Sequence, residues 1–88
     1  MKNINEIEFP AIFHVDEEFG GYWVEFPNLG CCTQGDDLED AINMAGDLLL
    51  CVADEITENM KPTPIEEISV KEGDLVKMIK PKYYKRND

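Results

Sequence analysis

Between Asp36 and Met60, apolar residues return every three or four positions: Leu38, Ala41, Ile42, Ala45, Leu48, Leu49, Val52, Ala53 and Ile56. That spacing gathers them into one stripe of an α-helix, with Asn43, Asp47, Asp54, Glu55 and Glu58 filling much of the remainder. Acids mark its start. Asp36 with Glu39, or Asp37 with Asp40, can cap the first turn, and all of them complement the positive end of the helix dipole. The pattern fades near Met60, and Pro62 and Pro64 prevent its continuation. Burying Leu38, Ile42, Leu49 and Val52 is worth about 1.5–3 kcal/mol each, which makes this stripe the principal contributor to a core. Gly46 costs about 1 kcal/mol relative to Ala in a helix, and close approach to a sheet would account for it.

Ahead of the helix the period changes to two. Phe9–Val15 is rich in strand formers, and Pro10, which has no N–H to donate, marks either the beginning of a strand or an edge. Alternation places Ala11, Phe13 and Val15 on one face and Ile12 and His14 on the other. The run Asp16–Gly21 reads as a turn, since its acids avoid strands and its two glycines accept positive φ. Tyr22–Phe26 alternates again, so the two runs form an antiparallel hairpin with Phe13, Val15, Tyr22, Val24 and Phe26 inside. Trp23 and Glu25 then fall on the opposite face. Pro27–Gly30 reverses the chain, Cys31–Gln34 is a short third strand, and Gly35 stops it. After the helix, Thr63–Gly73 is a connection in which Ile65 and Ile68 can pin to the core. Leu75–Ile79 is the last strand, and Lys80–Asp88 is a basic, aromatic tail lying against an acidic body. The order β-β-β-α-β predicts an α+β fold, a small antiparallel sheet with one long helix on one face. The other sheet face is left in need of a partner or a second copy.

Charge sharpens this picture. The 88 residues carry a net −11, spread unevenly: −13 through Met60 and +2 from Lys61 onward. Such a field draws in basic partners and repels phosphate backbones, which excludes direct nucleic-acid binding by the first sixty residues. A chain of this length makes a single domain, 1–88, of marginal stability alone, so a homodimer or higher oligomer is expected. The longest apolar run, Leu48–Ala53, falls far short of the roughly 20 residues that span a membrane, and no secretory signal opens the chain. Three cysteines, two of them adjacent, are a poor disulfide framework and point to the reducing cytoplasm. No CxxC spacing is present and His14 is the only histidine, so neither a metal nor another cofactor is expected. As a catalytic base, His14 would need an orienting partner that the sequence does not reveal; a structural or solvent-facing role is the expectation. Trp23, in the middle of a strand and facing away from the hairpin interior, is either an interface anchor or part of a second packed layer.

The stretch FPAIFHVDEEFGGYWVEFPNLGCCTQGDDLEDA resembles the opening of HicB-type antitoxins. The matching features are the strand Ala11–Val15, the acidic glycine-bearing turn Asp16–Gly21, the aromatic strand Tyr22–Pro27, Gly30–Cys31, Gly35–Asp36 and the helix start Glu39–Ala41. The likeness covers residues 7–80 and is densest between 10 and 42. Two differences stand out. The loop Asn28-Leu29-Gly30 is one residue shorter than the Asp-Leu-Pro-Gly often found in that family. The carboxy-terminal operator-binding module of many members is also not expected here.

The resemblance implies a partial ribonuclease-H-like fold, and a protein that is not an enzyme but binds and occludes a small basic HicA-type RNA-cleaving toxin. On that reading Asp16, Glu17, Glu18, Trp23 and Glu25 contact the partner, the acids by steering and Trp23 as anchor. The alternative is a stand-alone homo-oligomeric regulatory or structural protein. A metal-dependent nuclease is the weakest reading, because the first strand has no acid and Glu25 stands nearly alone among strand residues.

Overall fold

A computed structural model describes residues 7–18, 20–57 and 59–81; the polar start and the tail beyond Pro81 lie outside them. The elements are β1 (Phe9–Val15), β2 (Tyr22–Phe26), β3 (Cys31–Gly35), α1 (Leu38–Cys51) and β4 (Leu75–Ile79), with 3₁₀ turns at Ala53–Glu55 and Ile65–Glu67. The four strands form one antiparallel sheet in the order β3-β2-β1-β4. The α+β architecture and the β-β-β-α-β order are those expected from the hydrophobic pattern. Pro10 fits near the start of β1 rather than on an edge, since β1 lies between β2 and β4.

The register sorts the side chains. Phe13 pairs with Val24 and Val15 with Tyr22, while His14 pairs with Trp23 on the other face. Phe9, Ala11, Phe13, Val24 and Phe26 are fully buried together with Ala41, Ala45 and Leu49 of α1. Leu38, Ile42, Leu48 and Val52 pack around that cluster half-buried. Val15 departs from the expected interior: it is 43% exposed. The helix lies mainly over β3 and touches β2 and β4 less, and the corner shared by Val15 and Leu75 is left exposed.

The helix begins as its acids indicate. The Asp37 carboxylate accepts the Asp40 N–H at 2.8 Å, and the Asp40 carboxylate reaches back to the Asp36 N–H at 2.9 Å. It ends at Cys51, well before the expected Met60. The next turn tightens to 3₁₀ and releases Ile56 into an extended conformation, which seats that side chain in the core at 2% exposure. Ile56 thus belongs to the apolar stripe in its destination but not in its backbone.

Gly35 is the last residue of β3 rather than a stop after it. A Cβ there would overlap the backbone of Asp40 and Ala41. Gly21, at φ +79°, likewise sits against the Gly35 carbonyl. Two glycines therefore let the hairpin turn, the end of β3 and the first turn of α1 stack backbone to backbone.

From Ile56 the chain climbs back along the sheet to β4. At its lower end the Asn28 side chain accepts the Thr63 N–H at 3.3 Å and donates to the Thr63 hydroxyl at 3.1 Å. Along the way the Ile65–Glu67 turn touches β4. Ile68 is half-buried, but Ile65 is 37% exposed and is not pinned as expected. The sheet face away from α1 is only partly bare. Pro10 and Ile12 are buried there and Val76 and Met78 half-buried, whereas Trp23, Cys32 and Gln34 are exposed.

Gly35→Ala has no local remedy, because the obstructing atoms are backbone; it is expected to cost at least the upper end of the ~1–3 kcal/mol typical of overpacking. Asp37→Ala, which removes a cap, is expected to cost about 1 kcal/mol. Urea denaturation of the two variants checks the order.

Candidate functional site

Three segments meet beside Trp23. The first is the turn after β1, where the Asp16 backbone and Gly20 and Gly21 close the hairpin through bonds of 2.8 and 3.0 Å. The Asp16 carboxylate accepts the Glu18 N–H at 3.1 Å, leaving the side chains of Glu17 and Glu18 exposed. The second is Trp23 itself, 40% exposed on the sheet face away from α1. The third is the turn before β4, Lys71–Asp74, closed by the Asp74 N–H on the Lys71 carbonyl at 3.0 Å. Together they line an open cleft of about 530 Å³, in which five carboxylates (Asp16, Glu17, Glu18, Glu72 and Asp74) face one cation, Lys71.

His14 organises this cleft from beneath. Its Nδ1 lies 2.7 Å from Asp74 Oδ2, and its Nε2 lies 2.9 Å from Glu25 Oε1. Its ring stacks on Trp23 with centroids 4.3 Å apart and planes 22° from parallel. The second Asp74 oxygen accepts the Val15 N–H at 3.3 Å. A neutral imidazole donates from one nitrogen only, so both carboxylates are satisfied at once when the ring carries both hydrogens. Strand pairing dictates the constellation: His14 is opposite Trp23 in the β1–β2 register, and Asp74 precedes Leu75, which pairs with Phe13. The histidine thus has the orienting partner that the sequence could not supply. Asp74 is 60 residues away in the chain, and its position follows only once β4 is known to lie beside β1.

The structure therefore brings Asp16, Glu17, Glu18 and Trp23 to one cleft. Glu25 sits apart, joined to it through the His14 ring. Residues 71–74 belong to the same site and were missed. The acids and the indole face provide charge attraction and cation–π contact for a basic group. Among the described residues no cluster of His, Cys, Asp or Glu has the geometry to hold a metal ion, and no helix is long and apolar enough to cross a membrane. The three cysteines are free. Burial pushes the Cys31 thiol above its ordinary value, with neighbouring Cys32 adding to the shift.

No family model matches the chain, and no curated protein matches it. Among solved structures, the fold is that of a chain in a toxin–antitoxin complex from Streptococcus pneumoniae. The TM-score is 0.68 and the identity 20%, over 86% of this chain and 69% of that one. The architecture is accordingly one that occurs in toxin–antitoxin assemblies.

The clamp makes a ranked prediction. Asp74→Ala removes a charge-assisted bond to His14 from a carboxylate only 9% exposed, and a cost of about 1.5–3 kcal/mol is expected. Glu25→Ala, whose side chain is 38% exposed, should cost less. Hydrogen exchange at residues 71–74 should accelerate in the first variant and change little in the second.

Proposed function

We propose that this protein is a HicB-type antitoxin that binds a small basic HicA-type toxin and blocks its RNA-cleaving site. The observation that carries the reading is the carboxylate-lined cleft around Trp23, on a sheet face that α1 does not cover. The fold shared with a toxin–antitoxin complex supports it, as does the net charge of −11.

In the mechanism this implies, the long-range field steers a cationic partner toward the acidic half of the molecule, raising the association rate. Glu17 and Glu18, exposed at the rim, contribute to steering more than to residence time. Trp23 supplies the anchor. Its ring is held in one orientation by His14, so little side-chain entropy is lost on docking, and its outward face is open to a guanidinium or ammonium group. Inhibition is by occlusion, with no chemical step on this chain. The free thiols suit a reducing cytoplasm.

The test is to mix the purified protein with the basic protein encoded beside it and to follow RNA cleavage by the latter. Cleavage is expected to cease at stoichiometric addition. Trp23→Ala is expected to weaken the complex by about 2 kcal/mol or more, roughly 30-fold, chiefly through faster dissociation. Glu17→Gln with Glu18→Gln should instead slow association and flatten its salt dependence. A neighbour that is not retained at moderate salt, or whose cleavage continues when saturated, would sink the proposal.

A further inference from the structure

The sheet has two edges, and only one of them is defended. β4 carries the exposed Lys77 at its centre and is followed by Lys80 and Pro81, the residues that natural sheets use to discourage a further strand. β3, at the opposite edge, reads Cys-Cys-Thr-Gln-Gly, with neither a charge nor a proline. It lies within the ten-residue run Phe26–Gly35, the longest in the chain without Asp, Glu, Lys, Arg or His. α1 packs across the face of β3, and among the described residues no strand pairs with its outer edge.

We propose that β3 is a self-docking edge, at which two copies of this chain join antiparallel about a two-fold axis through Thr33. Charge selects the occupant. Two molecules of net −11 repel over most of their surfaces, so a copy can approach closely only along a strip that carries no acid. The register is set by overlapping the full strand. Thr33 then faces its own copy, Cys32 faces Gln34 and Cys31 faces Gly35. Asp36 and Asp37, just beyond the strip, meet the uncharged Gly30 and Leu29 of the other copy, so no two acids come opposite each other. Facing threonines are a favourable cross-strand pair. The axis stands perpendicular to the sheet, so the joined sheet has eight strands, with both helices on one side and both Trp23 clefts on the other. Trp23 itself pairs with Gln34 across β2 and β3, which sets each cleft one strand in from the join.

This inference does not rest on the antitoxin reading, and its test uses the protein alone. Cys32 and Gln34 are both exposed, so Gln34→Cys in a Cys51→Ser background leaves the core untouched. It places a thiol opposite the Cys32 of the other copy. Equilibrium sedimentation of the native chain is expected to show a dimer. Oxidised glutathione should convert the Gln34→Cys variant to a covalent dimer on a non-reducing gel, and adding Cys32→Ser should abolish that band. A native chain that sediments as a monomer would overturn the proposal. So would a dimer that fails to cross-link, or one whose cross-linking persists without Cys32.

Discussion

A helix is about 10 Å across, whereas four strands spaced about 4.8 Å apart make a sheet nearly twice as wide. One helix of 14 residues therefore covers roughly half of this sheet, and much of the molecule follows from which half. α1 lies chiefly along β3 and reaches β2 and β4 less, and Val24 and Phe26 are buried in one cluster with its Ala41, Ala45 and Leu49. The remainder of that face is closed by whatever the chain can spare: Ile7 before β1, Ile56 after the 3₁₀ turn, and Ile79 at the end of β4. Where nothing is spared, at Val15 and Leu75, apolar surface stays in water.

The same shortage of cover shapes the opposite face. Among the described residues the connection returning to β4 touches that strand, and the buried or half-buried residues on this face belong to β1 and β4: Pro10, Ile12, Val76 and Met78. Toward β2 and β3 the face stays open, and there the acidic turn and Trp23 meet. His14 stands on the boundary between the two halves. Its links to Asp74 and Glu25 tie the covered side to the open one, so the cleft around Trp23 is held by the same contacts that fasten the approach to β4. On this reading the acid-rich composition and the incomplete core have one explanation. Under the proposed function the molecule covers something basic, and what it covers completes it.

Legibility followed the range of the interactions. The period-two runs of β1 and β2, the capping pair Asp37–Asp40 and the helical stripe are local patterns, and they could be read directly. Trp23 and Glu25 were placed on the outward face by alternation alone. The helix end was misplaced because Val52, Ala53 and Ile56 are apolar at helical spacing, while the tertiary demand to seat Ile56 overrides that spacing. The apolar character of Val15 gave no hint that its end of the sheet lacks a helix above it. The His14 clamp was out of reach for a different reason: it needs the β1–β4 register, which is set by a strand sixty residues downstream and by no nearby signal.

The clasp between Asn28 and Thr63 has a mechanical consequence. Residues 63–74 are fastened at one end by that amide and at the other by the Asp74 carboxylate, with the Ile65–Glu67 turn resting on β4 between them. The segment is a strap with both buckles closed, not a tether. A protease cutting between them would leave two fragments still docked, the second held by its own strand, and the nicked protein would migrate on a native gel as one body.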